Sequence, residues 1–127
     1  MPVSHSPRFS LATVVLDCPD AHDLAEFYGR LLAWDVKWSE PDWVRLEGPG
    51  GGTGLSFQSE ADYMPPVWPE RSGEQQKMLH LDILVDDLDG ALRHALAAGA
   101  TLADFQPQDD VRVCLDPAGH PFCLFIQ

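Results

Sequence analysis

The residues of this chain that could do chemistry are few and scattered. His80 is the sharpest candidate, because an imidazole exchanges a proton near neutral pH and Asp17 or Asp82 could orient it as a base. The bland alternative is a histidine that hydrogen-bonds across a sheet and reacts with nothing. Cys123 and Cys114 would be nucleophiles only as thiolates, which need a positive neighbour such as Arg112 or His80. More often a strand cysteine is a small buried hydrophobe. Trp43 and Trp68 offer faces on which a planar ligand could stack, Trp68 from a linker acting as a lid. Arg45 and Arg112 could receive a carboxylate or phosphate. The competing readings pair both arginines with surface acids and have Trp68 simply pin the linker to the body. His22, His94 and His120 fall on two helix faces and a turn and read as surface residues, whereas Cys18 and Trp34 read as core.

The elements that must position these side chains are written twice. Leu79, Leu81, Ile83 and Val85 alternate with His80, Asp82 and Leu84, the period of a half-buried strand. Asp86 or Asp87 then caps a helix whose apolar stripe is Leu88, Ala91, Leu92, Ala95 and Leu96, and Gly99 stops it. Upstream by 67 residues, Ala12, Val14, Leu16 and Cys18 alternate with Thr13, Val15 and Asp17. Asp20 matches Asp87, and Leu24, Phe27, Tyr28 and Leu31 form the stripe. Strand, acidic cap and helix recur at a constant offset, which marks an internal duplication. Each half continues with three shorter strands: 34–38, 43–47 and 53–59, then 101–105, 111–115 and 122–126. The expected fold is α+β, two βαβββ modules forming a curled mixed sheet around a cavity, with helices on the outer face. Module one covers about 9–59, a proline-rich linker 60–77 and module two about 78–127, in a single domain preceded by a loose arm at 1–8.

Bulk properties narrow the function classes. With 20 Asp and Glu against 8 Lys and Arg, the net charge is −12, which repels nucleic acid and anionic membranes. No apolar run approaches the roughly 20 residues of a spanning helix, and MPVSHSPRFS has no signal-peptide core. Three cysteines without metal-type spacing suggest reduced thiols in a cytoplasmic protein. The glycine run GPGGG lacks the lysine and spacing of a phosphate loop and reads as a hairpin turn.

Strand alternation sorts side chains onto two faces. Leu16, Leu55, Phe57, Leu81, Ile83, Phe122 and Leu124 share the face that must bury against the helices. Thr13, Val15, Asp17, Ser56, Gln58, His80, Asp82, Cys123 and Phe125 share the other, and by the same parity Trp43, Arg45, Arg112 and Cys114 join them. Aromatic and polar groups together on one sheet face suit a concave ligand site.

Three stretches carry a resemblance: Leu16-Asp17-Cys18-Pro19-Asp20 through Leu24-Ala25-Glu26-Phe27-Tyr28, His80-Leu81-Asp82 through Val85-Asp86-Asp87-Leu88, and Asp116-Pro117-Ala118-Gly119-His120-Pro121. The chain from about residue 9 to 127 resembles the vicinal oxygen chelate superfamily of glyoxalase I, extradiol dioxygenases and bleomycin-resistance proteins. It is most similar to small glyoxalase-like domain proteins, which also carry a PGG turn, an FQ strand end and a tyrosine–proline–tryptophan linker. The family's metal enzymes place a ligand, His or Glu, on the first and last strand of each module. The resemblance and the internal offset put those positions at Thr13, Ser56 or Gln58, His80 and Cys123. Only His80 and Cys123 are credible ligands, so no metal cofactor is expected, and a divalent metal, if one binds, would use His80. What the resemblance then implies is a bleomycin-resistance-type protein that binds a small planar or amphipathic molecule, with Thr13, Trp43, Ser56, Gln58, Trp68, His80, Arg112 and Cys123 as the ligand-binding set. The alternative is a metal-assisted lyase or isomerase with His80 catalytic. A homodimer is implied by resemblance alone, and a ligand-free dimeric interaction module is the third reading.

Overall fold

Two acids start the two helices as their sequence positions require. The computed structural model describes residues 7–127, so most of the arm expected at 1–8 lies outside the described residues. Strand β1 (Thr13–Cys18) runs into Asp20, whose carboxylate accepts from the backbone N–H groups of His22 (2.9 Å) and Asp23 (3.4 Å) and caps α1 (Ala21–Leu32). In the second half Asp87, rather than Asp86, accepts from Gly90 N–H at 3.1 Å and caps α2 (Leu88–Ala98). Gly99, at φ 126°, ends that helix with its N–H shared between the Ala95 and Leu96 carbonyls.

The fold is α+β, two βαβββ modules in chain order. Module one adds β2 (Val36–Glu40), β3 (Trp43–Leu46) and β4 (Gly54–Ser59). Module two consists of β5 (Leu81–Leu84), α2, β6 (Thr101–Leu102), β7 (Val111–Leu115) and β8 (Pro121–Phe125). Each builds a four-stranded mixed sheet, ordered β1-β4-β3-β2 and β5-β8-β7-β6, with the first strand at an edge and parallel to the last. The two sheets remain separate and do not close. Strand ends differ from the expected ones by a few residues. The first strand begins at Thr13 because Phe9 and Leu11 lie in solvent (92% and 68% exposed). The second begins at Val36 because α1 ends on Ala33 in the left-handed region (φ 57°) and Trp34 packs back onto the core.

The duplication holds at the level of hydrogen-bond register. Val15 faces Ser56 and Leu16 faces Phe57; 67 residues on, Asp82 faces Cys123 and Ile83 faces Leu124. The β3 and β7 strands break the rule. Arg45 faces Ser56, but Val113 faces Cys123, so module two has gained one residue before β7. Side chains alternate with period two, so a one-residue slip transfers a strand's whole set to the other face. Arg112 therefore lies opposite Leu124 and Cys114 opposite Phe122, on the helix side. This corrects the expected parity of both residues.

The core gathers α1, α2 and the inner sheet faces. Leu24, Phe27 and Tyr28 are buried from α1, with Phe57, Phe122, Leu124 and Cys114 from the sheets. Tyr28 stacks on Phe57 (centroids 5.5 Å, 11° between planes), while Phe27 meets Tyr28 edge-on at 4.8 Å. Each such aromatic contributes about 1.5–3 kcal/mol by leaving water. One polar bond crosses the modules within this core: the Tyr28 hydroxyl donates to Asp116 Oδ2 at 2.7 Å.

Candidate functional site

Asp116 opens the turn that joins β7 to β8, and its carboxylate ties together Tyr28 and His120, two side chains that line a cavity between the modules. It is buried, 4% exposed, and takes Tyr28 Oη on one oxygen. Its other oxygen accepts from the N–H groups of Ala118 (2.9 Å) and His120 (3.0 Å). The DPAGH turn can fold back so tightly because Gly119 takes φ 93°. That turn swings His120 inward, where its Nδ1 lies 2.8 Å from Asp116 Oδ2 and its Nε2 lies 3.2 Å from the hydroxyl of Tyr63. Tyr63, from the segment between the modules, donates that hydroxyl to the Ala118 carbonyl at 2.9 Å. Burial, and then the negative charge of Asp116, push the Tyr63 hydroxyl well above its ordinary pKa, so it stays protonated. His120 was expected at the surface and instead sits half-buried in this network.

The cavity itself has a volume of about 630 Å³ and lies between the two edge strands, under the linker. Val15 and Asp17 line it from β1, His80 and Leu81 from the start of β5, Tyr63 and Met64 from the linker, with Tyr28 and His120 behind. The sequence points to the open sheet faces for a site; this cavity lies at their adjoining edges. The linker covers it because Tyr63 and Trp68 anchor that segment to module two. Trp68 packs against Phe105 (centroids 6.1 Å) and reaches its carbonyl at 3.4 Å, while Lys77 lies over the Trp68 ring and pairs with Glu70. Trp68 thus pins the linker and does not line the cavity.

His80, at the cavity wall, and Cys123, the pair set against Thr13 and Ser56 by the duplication, come together with Asp82. His80 Nε2 lies 3.1 Å from Asp82 Oδ1, and one donor atom each from His80, Asp82 and Cys123 all fall within 4.8 Å of one another. Burial and the Asp82 carboxylate both push the Cys123 thiol up, against a smaller opposing pull from Lys77, so the sulfur is a thiol at neutral pH. The matching positions of module one hold no such donors. Thr13 and Ser56 there share a hydroxyl–hydroxyl hydrogen bond of 2.8 Å, and Ser56 is fully buried.

The remaining expected residues are placed as follows. Thr13 and Trp43 line a separate, smaller cavity on the first sheet, and Gln58 lies in register between Trp43 and Asp17. Arg112 is held by the Asp109 and Val111 carbonyls at 2.8 and 3.0 Å. Of the eight residues named as a ligand set, only His80 lines the large cavity. The Asp116–His120–Tyr63 network was missed. Its signal, an aspartate four residues before a histidine within Asp-Pro-Ala-Gly-His, is present in the sequence but reads first as a turn.

A family model described as "Glyoxalase-like domain" matches residues 13–125. No curated protein matches the chain. Solved structures share its fold. One is a glyoxalase/bleomycin resistance protein/dioxygenase family enzyme from Burkholderia phytofirmans PsJN, 21% identical over 93% of this chain and 98% of that one, with a TM-score of 0.68. Another is a glyoxalase-related enzyme from Fulvimarina pelagi, 18% identical over 93% and 88%, TM-score 0.67. A third is a glyoxalase family protein from Enterococcus faecalis, 19% identical over 91% and 96%, TM-score 0.66. At these identities the likeness extends to the fold alone.

Proposed function

The chain belongs to the glyoxalase-like domain family, and from that premise we propose that it binds a small planar or amphipathic molecule, in the manner of a bleomycin-resistance protein and without a strong metal site. The observation that carries this reading is the 630 Å³ cavity. Its volume lies within the roughly 300–1,000 Å³ of small-molecule sites. Its walls combine Val15, Met64 and Leu81 with the polar tips of Tyr63, His80 and His120. A planar ring fits between the linker and the strand edges, and the imidazoles supply orientation at two ends. Thermal-shift screening of fused-ring and amphipathic compounds tests the reading. A hit is expected to raise Tm equally with and without chelator and to lose most of its effect in Leu81→Asp. Abolition of the shift by chelator would sink it.

A second reading rests on one specific observation, the approach of His80, Asp82 and Cys123 to within 4.8 Å of one another. An imidazole, a carboxylate and a sulfur are an acceptable donor set for Zn²⁺ or a similar divalent ion. Such an ion would supply Lewis-acid polarisation of a ligand oxygen. His80 and Asp82 would hold it, and Cys123 would have to surrender its proton to join them. In this reading the protein is a metal-assisted lyase or isomerase. Zn²⁺ titration should then give one equivalent bound, and Asp82→Asn should lower affinity by about tenfold or more. Stoichiometric absence of binding under Zn²⁺, Ni²⁺ and Mn²⁺ would exclude it.

A further inference from the structure

The first module carries a cavity of its own, about 190 Å³, on the open face of its sheet. It has no lining residue in common with the large cavity. Its walls are Thr13, Lys37, Trp38, Glu40, Trp43 and Arg45. Strand register explains how these meet. Trp38 lies opposite Arg45, Arg45 opposite Ser56, and Ser56 bonds Thr13, so one row crosses the sheet. Glu40 lies opposite Trp43 in the next row. In an unbroken strand Lys37 would face away from Trp38. The pairing of β2 with β3 slips between Val36 and Trp38, a bulge that leaves Lys37 unpaired and re-aims it, so both side chains line the same cavity.

Charge makes the site unusual for this chain. Only 8 Lys and Arg face 20 Asp and Glu, yet among the described residues neither Lys37 nor Arg45 has a carboxylate within ion-pair distance. Arg45 gives Nη2 to the Ala12 carbonyl at 3.2 Å, and its Nε is buried with no acceptor. Glu40, the one acid in the wall, accepts from the Trp38 indole N–H at 2.9 Å. A buried donor left without an acceptor is costly to a folded chain. Guanidinium groups favour carboxylates, which they grip with two parallel bonds, and indole faces favour flat rings. The volume corresponds to about six waters, the scale of one ring and one carboxylate.

We propose that this cavity binds a single-ring aromatic carboxylate, with the carboxylate on Arg45 and Lys37 and the ring against Trp38 and Trp43. The site is independent of the large cavity and of its ligand.

The test titrates benzoate into the full chain and follows the N–H resonances of the Trp38 and Trp43 indoles and of Arg45 Nε. Saturable shifts are expected there, with Tyr63 and His120 unmoved. Benzamide, which keeps the ring and loses the charge, should bind about tenfold more weakly or worse, and acetate likewise. Lys37→Gln, on an exposed strand outside the core, should retain the folded spectrum and weaken benzoate about tenfold; Arg45→Gln should weaken it further. Equal affinity for benzamide or acetate, no saturable binding, or undiminished binding by Lys37→Gln would each overturn the proposal. So would shifts confined to Tyr63 and His120, which would place benzoate in the large cavity and not in this one.

Discussion

At three matching positions the two modules carry different side chains: Thr13, Val15 and Ser56 in the first, His80, Asp82 and Cys123 in the second. Their backbones pair in the same register, Val15 with Ser56 and Asp82 with Cys123. The first set closes on itself through one hydroxyl pair, while the second presents three donor atoms at the rim of a cavity. The helices divide in the opposite sense. α1 buries Ala21, Leu24, Ala25, Phe27 and Tyr28, whereas α2 buries only Ala95 and Ala98, and His94 stands in solvent where α1 has Phe27. A duplicated fold keeps its register because backbone pairing depends on every strand at once. Side chains are free to diverge singly, so the first copy's helix has taken on more of the packing and the second copy brings three donor atoms together.

The sharpest way to break this comparison is to truncate matching helix positions. Phe27 is fully buried and touches both Tyr28 and Phe122. Phe27→Ala should cost about 3–5 kcal/mol through lost transfer energy and the cavity left behind. His94→Ala removes only an exposed imidazole 3.2 Å from the Leu31 carbonyl and should cost below about 1 kcal/mol. Urea denaturation of both variants measures the difference. Equal losses would mean that the second helix supports the core as much as the first.

Alkali probes both modules together. Burial, with Asp116 adding to it, pushes the Cys18 thiol up to about 12; burial, with Cys123 adding, pushes Cys114 up to about 11. In the unfolded chain a thiol ionises from its ordinary value of 9.0. A raised folded pKa means that the unfolded state loses protons first, so the stabilisation is complete below pH 9 and is lost as pH rises toward 11–12. By pH 10 each thiol should account for about 1 kcal/mol of lost stability. Cys114→Ala should remove its share of the slope between pH 8 and 10 and leave that of Cys18. A slope unchanged by the substitution would place the alkaline sensitivity elsewhere, Tyr28 being the next buried group whose ionisation folding opposes.

The architecture was legible because its signals are local. Alternation gave the faces of β1, β4, β5 and β8, and Asp20, Asp87 and Gly99 marked helix ends through their own hydrogen bonds. Arg112 and Cys114 fall on the other face from the one their parity suggests because module two holds one extra residue before β7, in a loop with no periodicity to reveal it. The site was less legible than the fold. Tyr28 meets Asp116 across 88 positions, and nothing in either neighbourhood announces the other. His120 reads as a turn residue because Asp-Pro-Ala-Gly is a turn; that the same turn aims the imidazole at Tyr63 depends on where the linker lies. His80 was found because duplication set it against Thr13, a contrast visible without any contact.

That contrast supplies the smallest and most discriminating test. If module one's pair is structural, Thr13→Val with Ser56→Ala should cost about 1 kcal/mol in total, since both partners of a part-buried hydrogen bond leave together and neither is stranded. Ser56→Ala alone should cost as much or more, because Thr13 keeps a hydroxyl with its partner gone. Neither variant should alter ligand-induced Tm shifts at the large cavity, which Thr13 and Ser56 do not line. His80→Ala should do the reverse. Its side chain is 39% exposed and, among the described residues, pairs only with the exposed Asp82, so stability should move by less than about 0.5 kcal/mol, while any ligand or metal that uses the rim loses an anchor. A double-mutant cycle on Thr13 and Ser56 measured beside His80→Ala separates the two roles within one protein. Coupling between the hydroxyls with silence at the cavity, against silence in stability with a change at the cavity, is the pattern a divided duplication must give.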